Sequence, residues 1–245
     1  MIEIINVENK KLEREFVLFP FKLYKECKYW VPPIIDEELE AMDKSKNPVF
    51  QNAEAEFYLA YRNGIVVGRI AAIVNWVEIE EQKKNKLRFG WYDTIDDKEV
   101  SKKLIEKVIE FGKKRNLDFI DGPVGFSNMD KAGLLTEGYE ELNTMITWYH
   151  FSYQKNHLLE LGFKKLAEWV EYKIQIFSEK DAPEKVKKFA KIIQKRYDLK
   201  VINFKSKKEI VPYIDKMFEL LNLTYSNLQT YVTIKQYQID FYKEK

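Results

Sequence analysis

The chain predicts an α/β fold: a mixed central sheet flanked by helices, followed by a shorter C-terminal stretch that echoes its opening. Three observations carry the prediction. Residues 56–76 hold two β-rich runs joined at Asn63-Gly64, and residues 87–120 read strand, helix, strand. Residues 158–176 read as a short helix closing on Leu161-Gly162-Phe163 and entering an extended run, Trp169–Ile176.

In chain order, Ile2–Val7 predicts a strand and about residues 11–28 a helix. Trp30-Val31-Pro32-Pro33 then breaks the chain before an acidic helical stretch, and Asn47-Pro48 marks entry to the hairpin. Asn-Gly tolerates the positive φ angles of a type I′ turn, whose twist matches paired strands. Phe57, Leu59 and Tyr61 alternate on one arm; Ile65, Val67 and Arg69 alternate on the other. Leu87–Tyr92 is an aromatic strand. Asp96 and Asp97 stand where an N-cap belongs, and Val100, Leu104, Ile105, Val108, Ile109 and Phe111 follow at helical spacing. Lys113, Lys114 and Arg115 crowd the last turn, where cations favour the helix dipole. Leu117–Ile120 restarts an extended run that stops at Gly122-Pro123.

This meander, the strand–helix–strand unit and the helix closing on Leu-Gly-Phe come in the order of the GNAT acetyltransferase superfamily, which residues 50–176 resemble. The segment Gly122-Pro123-Val124-Gly125-Phe126-Ser127-Asn128-Met129-Asp130, continued by Glu137-Gly138-Tyr139, resembles a divergent group of uncharacterised bacterial GNAT-like proteins. The expected fold is therefore a GNAT-like mixed central sheet flanked by helices, with the beginning of a second GNAT-like unit.

Composition narrows the class. At 45% hydrophobic residues, 245 residues suffice for a packed core. No stretch approaches the roughly 18 consecutive apolar residues of a membrane span, and the N-terminus lacks a secretory layout. One cysteine, Cys27, excludes an intrachain disulfide; with only His150 and His157 beside it, no metal site is expected. A soluble cytoplasmic protein is the plain expectation, with neither membrane nor nucleic acid among its partners. The overall charge of +2 conceals a net +7 over residues 180–216, where twelve basic residues face five acidic ones. Val186, Phe189, Ala190, Ile193 and Tyr197 recur there at helical spacing. RNA, anionic lipid or an acidic partner would suit such a face; a packed helix with solvated lysines is the plainer reading.

Domain organisation follows from a weak repeat. Ile5-Asn6-Val7 through Lys11 matches Ile202-Asn203-Phe204 through Lys208 at an offset of 197 residues. Residues 1–178 are expected to form the GNAT-like domain. Residues 179–245 are expected to hold a basic helical segment and the strand–turn–helix opening of a second, incomplete unit.

The resemblance implies an acyl-CoA whose pyrophosphate sits on backbone N–H groups at the strand-to-helix turn. Such a turn needs glycines for close approach and free N–H groups at the helix start. Residues 92–100 contain no glycine and carry a net charge of −3. One like-charge contact at 4 Å costs roughly 1 kcal/mol in water and about 4 at an effective dielectric of 20. Acetyl-CoA or another acyl-CoA is the implied cofactor, the turn opposes it, and no cofactor-binding residue is assigned. The tyrosine that many family members place before Leu-Gly-Phe as general acid is Leu158 here.

The leading functional expectation is a divergent N-acyltransferase moving an acyl group from a CoA thioester to a small-molecule or peptide amine. The alternative is a non-catalytic GNAT-like module that binds a small ligand or peptide. For the enzyme, Glu137 is the candidate base and Tyr149 or Tyr153 the candidate acid. Ser127, Asn128 and Asp130 are candidate substrate contacts, with a turn around Gly125-Phe126 as their structural alternative. Arg69 is expected at the surface.

Overall fold

The computed structural model describes residues 1–144, 146–175, 178 and 180–244. Five strands form one sheet in chain order: β1 (Ile2–Asn6), β2 (Ala53–Arg62), β3 (Ile65–Asn75), β4 (Lys86–Thr94) and β5 (Phe119–Asp121). The first four pair antiparallel and β5 joins β4 in parallel, so the sheet is mixed as expected. At the β2–β3 turn, Asn63 and Gly64 take φ of 52° and 75°, the left-handed geometry that Asn-Gly accommodates.

Helices cover both faces. Side-chain alternation in β2 sends Phe57 and Leu59 toward α1 (Lys10–Leu23) and α2 (Ile35–Met42), where they meet Phe16, Val17 and Met42. Tyr58 and Ala60 point the other way, onto Val100, Leu104 and Val108 of α3 (Lys98–Lys113). Each fully buried side chain of that size contributes up to about 1.5–3 kcal/mol. Asn9 caps α1 through the Leu12 N–H (3.0 Å), and Asp97 caps α3 through the Glu99 N–H (2.9 Å). The short α4 (Ser152–Glu160) packs beside α3 and ends before Gly162.

Two expectations about extended structure and one about a helix are corrected. Residues 163–175 form no strand; Trp169, Val170, Tyr172 and Ile174 are exposed, and Ile176 lies outside the described residues. An alternating pattern makes a strand only where an edge offers partners, and β5 pairs for only three residues. Residues 201–204 are likewise unpaired. α1 is shorter than expected and stops at Leu23.

The C-terminal stretch holds α5 (Glu184–Arg196), α6 (Lys207–Tyr225) and α7 (Gln236–Glu244). α6 begins 197 residues after α1, in register with the sequence repeat, while the strand of the repeat does not form. No residue of α5 is buried, so the expectation of a packed helix is also corrected. Residues 230–234 return to the body: Thr230, Tyr231, Val232 and Ile234 are buried, and the Tyr237 hydroxyl accepts from Asn52 (2.7 Å).

Candidate functional site

Parallel pairing of β4 with β5 ends at Arg88 and Asp121, while β4 runs on to Thr94. Between Gly90 and Asp93 the register against β3 shifts, and Trp91 takes φ of 48°. A non-glycine residue held there costs of order 1–3 kcal/mol and is kept by its surroundings. Those surroundings are aromatic: the Trp91 ring meets Phe57, Phe126 and Trp148 edge-on. Residues 122–144 and 146–151 form the chain that crosses β4 here, and a Cβ on Gly90 would lie 2.6 Å from the Val124 carbonyl oxygen.

Beside this bulge, under the crossing chain, is a crevice of about 20 Å³, lined by Tyr24, Trp30, Glu38, Arg69, Asp93, Lys131, Trp148 and Tyr149. It has room for about one water. Arg69 is buried rather than at the surface, a correction to its expected place. Its Nε donates to Asp93 Oδ2 (2.7 Å), its Nη1 to the Phe16 carbonyl (3.0 Å), and the Tyr24 hydroxyl donates to Asp93 Oδ1 (2.6 Å). Burial, then the Asp93 carboxylate, holds the Tyr24 phenol well above its usual range. Glu38 accepts from the Trp91 indole (2.7 Å) and lies 4.0 Å from Lys131, whose ammonium burial shifts downward. His150, fully buried against Tyr92 and Asp93, accepts from the Leu135 N–H (3.3 Å); burial lowers it to about 4, so it is neutral.

A second buried ionic group braces the crossing chain. Glu78, delivered by a π-helical turn over Val77–Glu81, takes two bonds from Arg88 (2.6 and 2.7 Å) and lies 3.1 Å from Lys86, which also bonds Asp121 (2.8 Å). Burial pushes the Glu78 carboxyl up, but Arg88 and Lys86 outweigh it and the net shift is downward. Arg88 also donates to the carbonyls of Gly125 (3.1 Å) and Thr230 (2.8 Å), tying β4 to both the crossing chain and the C-terminal stretch.

The free edge of β4 beyond Gly90 is occupied by side chains. The Gln154 amide donates to the Tyr92 carbonyl (3.4 Å) and the Tyr153 hydroxyl to the Thr94 carbonyl (2.7 Å). At the strand-to-helix turn Asp97 both caps α3 and pairs with Arg62. Next to it Ser101, His157 and Asp96 form a chain: Ser101 Oγ to Nδ1 at 2.9 Å, Nε2 to Asp96 at 3.3 Å. Ser101 is fully buried and also accepts from the Tyr92 hydroxyl (2.8 Å), so no substrate carbonyl reaches it; the set fixes α4 to α3.

The sequence-derived candidates separate. Tyr149 lines the crevice, its hydroxyl donating to the Tyr139 carbonyl (2.9 Å). Tyr153 sits at the β4 end, half-buried, with its phenol shifted upward by burial. Glu137 is exposed, with no hydrogen bond or ion pair to the crevice among the described residues. Ser127 and Asp130 form a turn: the Ser127 N–H donates to Asp130 Oδ2 (2.8 Å) and the Met129 N–H to Ser127 Oγ (3.1 Å). Burial raises the Asp130 carboxyl, against the two bonds from Ser127. Asn128 accepts from the Val232 N–H (3.3 Å). Sequence reasoning missed Tyr24, Glu38, Asp93 and Lys131, which stand on four separate segments. Only the Tyr149 assignment pointed to this crevice.

No family model matches the chain. Protein YghO of Escherichia coli (strain K12) is 28% identical to it over 199 residues, 80% of this chain and 50% of that protein. Bacterial ceramide synthase of Caulobacter vibrioides (strain NA1000 / CB15N) is 25% identical over 174 residues, 70% of this chain and 45% of its own length. The chain thus spans about half the length of the curated relatives it matches. A solved structure, a predicted acetyltransferase with acetyl-CoA from Clostridium acetobutylicum, overlaps 71% of this chain and 96% of that one, at a TM-score of 0.44 and 12% identity. An overlap at that level carries no argument about chemistry. What the chain itself shows is the fold: a mixed five-stranded sheet in the order β1-β2-β3-β4-β5 with helices on both faces.

Proposed function

We propose that this protein is a divergent N-acyltransferase that joins a long-chain acyl group, carried as a thioester, to the amine of a lipid-like amino alcohol. The observation that carries the reading is the buried Tyr24–Asp93–Arg69 group at a strained strand bulge. Buried ionisable groups converging on a crevice are where functional sites are sought first. The likeness to a ceramide synthase over 70% of the chain supports the substrate class, since ceramide is a fatty-acyl amide of an amino alcohol.

In this reading the amine nitrogen attacks the thioester carbonyl carbon, the C–N bond forms and the C–S bond breaks. One proton leaves nitrogen and the departing sulfur takes one. Asp93 would accept that proton from the neutral amine through the single water that the crevice has room for, in the role the sequence suggested for Glu137. Tyr153 would meet the sulfur at the end of β4. Its phenol is a weak acid there, so the rate would rest on alignment more than on proton donation. Acyl-CoA would have to displace the Gln154 and Tyr153 side chains from the β4 edge, and Asp97 from the helix start. Those occupied positions favour the second reading, a non-catalytic module that binds a small ligand or peptide.

The test is amide formation from acyl-CoA and acyl-carrier thioesters with long-chain amino alcohols, followed as amide and as released thiol. Tyr24→Phe, which removes the hydrogen bond that positions Asp93 and keeps the Arg69–Asp93 pair, should lower turnover about tenfold, since a misplaced base loses part of its contribution. Its melting temperature should stay close to wild type. No amide with any donor, together with no thermal shift on adding acyl-CoA, would assign the fold to ligand binding instead.

A further inference from the structure

α5 leaves its apolar stripe uncovered. Helical spacing places Val186, Phe189, Ala190 and Ile193 along one side and sets Lys187, Lys191 and Lys195 away from it. Val186, Phe189 and Ile193 are 52%, 53% and 45% exposed, and no residue of the helix is buried. Six cations stand against one acidic residue over the same helix. An isolated helix of this length is marginal in water, so its apolar side forms against a surface.

We propose that α5 lies on an anionic lipid surface, with Phe189 and Ile193 at the acyl boundary and the lysine heads among the phosphates. Charge selects this occupant. A second copy of the chain, meeting face to face, would bring a helix of the same net charge of +5. RNA would neutralise the lysines but leave Val186, Phe189 and Ile193 in water. An anionic bilayer answers both halves of the helix at once, because long lysine side chains reach outward from a seated apolar face. Trp169, exposed in the unpaired stretch before α5, is of the type that settles at a headgroup boundary. The inference is independent of acyl transfer and is read by binding, so either can fail without the other.

The full chain is to be sedimented with vesicles of equimolar phosphatidylcholine and phosphatidylglycerol, and with phosphatidylcholine alone. Binding to the anionic vesicles is expected, weakened by salt and at least about tenfold lower on neutral ones. Phe189→Ser with Ile193→Ser, which alters no buried side chain, should reduce binding about tenfold with all lysines in place. Lys187→Glu with Lys191→Glu should do the same. Absence of binding to anionic vesicles overturns the proposal. So does a serine variant that binds like wild type, because charge alone would then explain it. Self-association lost in the serine variant, or retention of single-stranded RNA, without vesicle binding would give the face to another occupant and overturn it equally.

Discussion

His150 shows what burial does to a single side chain. The imidazole is lowered from 6.5 to about 4 by burial, while the unfolded chain keeps the ordinary value. Between those two values the unfolded state binds the extra proton, so stability rises with pH across the window and falls on acidification. Going from pH 7 to pH 5 should cost about 2 kcal/mol from this residue, with little further loss below pH 4. Urea melts of wild type and His150→Gln at the two pH values measure it; equal pH dependence in both proteins would refute the assignment. Arg69 carries the same lesson with opposite consequences. It is kept charged in the interior by Asp93 and the Phe16 carbonyl, so the pair must be disturbed at Tyr24 rather than at Asp93 if folding is to survive. Removing one partner of a buried pair typically costs about 3–5 kcal/mol.

Among the elements, β4 organises the site. Its first half is held by β5 and by the Glu78–Lys86–Arg88–Asp121 group; its second half bulges and is covered by the crossing chain and α4. Gly90 is where the crossing chain lies closest. Gly90→Ala would place a methyl group 2.6 Å from a backbone oxygen that cannot turn aside. The expected loss is about 1–3 kcal/mol. It should come with faster hydrogen exchange at the Val124 amide, which donates to Phe89 (2.7 Å). A variant with wild-type stability and protection would mean that the crossing chain is not seated on β4. The turn after β4 was legible earlier: an aspartate before Lys98 reads as a cap, and Asp97 is one.

For the molecule as a whole, the C-terminal stretch is tied to the sheet body by polar contacts as well as by packing. Thr230 supplies a carbonyl to buried Arg88, Val232 an amide to Asn128, and Lys235 pairs with Glu81 (2.6 Å). A chain ended at residue 226 would leave a buried guanidinium N–H without its acceptor and would lose the buried Tyr231, Val232 and Ile234, exposing the surface they cover. An unsatisfied buried donor alone costs about 1–3 kcal/mol, and each lost apolar side chain about as much again. Thermal unfolding of that shortened chain should shift downward by several degrees; an unchanged midpoint would show that the two parts stand independently.

The sequence by itself determined the elements whose information is local. Asn63-Gly64 fixed the hairpin, Asp97 and the spacing from Val100 to Phe111 fixed α3, and the stop at Gly122-Pro123 marked the end of the extended run after it, whose parallel pairing the structure supplies. Tertiary structure decided what depends on neighbours distant in the chain. Whether Trp169–Ile174 pairs, whether α5 packs, and whether Arg69 meets water are not properties of those residues' own patterns. The crevice is the clearest case: Tyr24, Glu38, Asp93 and Lys131 share no spacing that a one-dimensional reading could recognise. They converge because β3 and β4 pair across a bulge while α1, α2 and the crossing chain close over it.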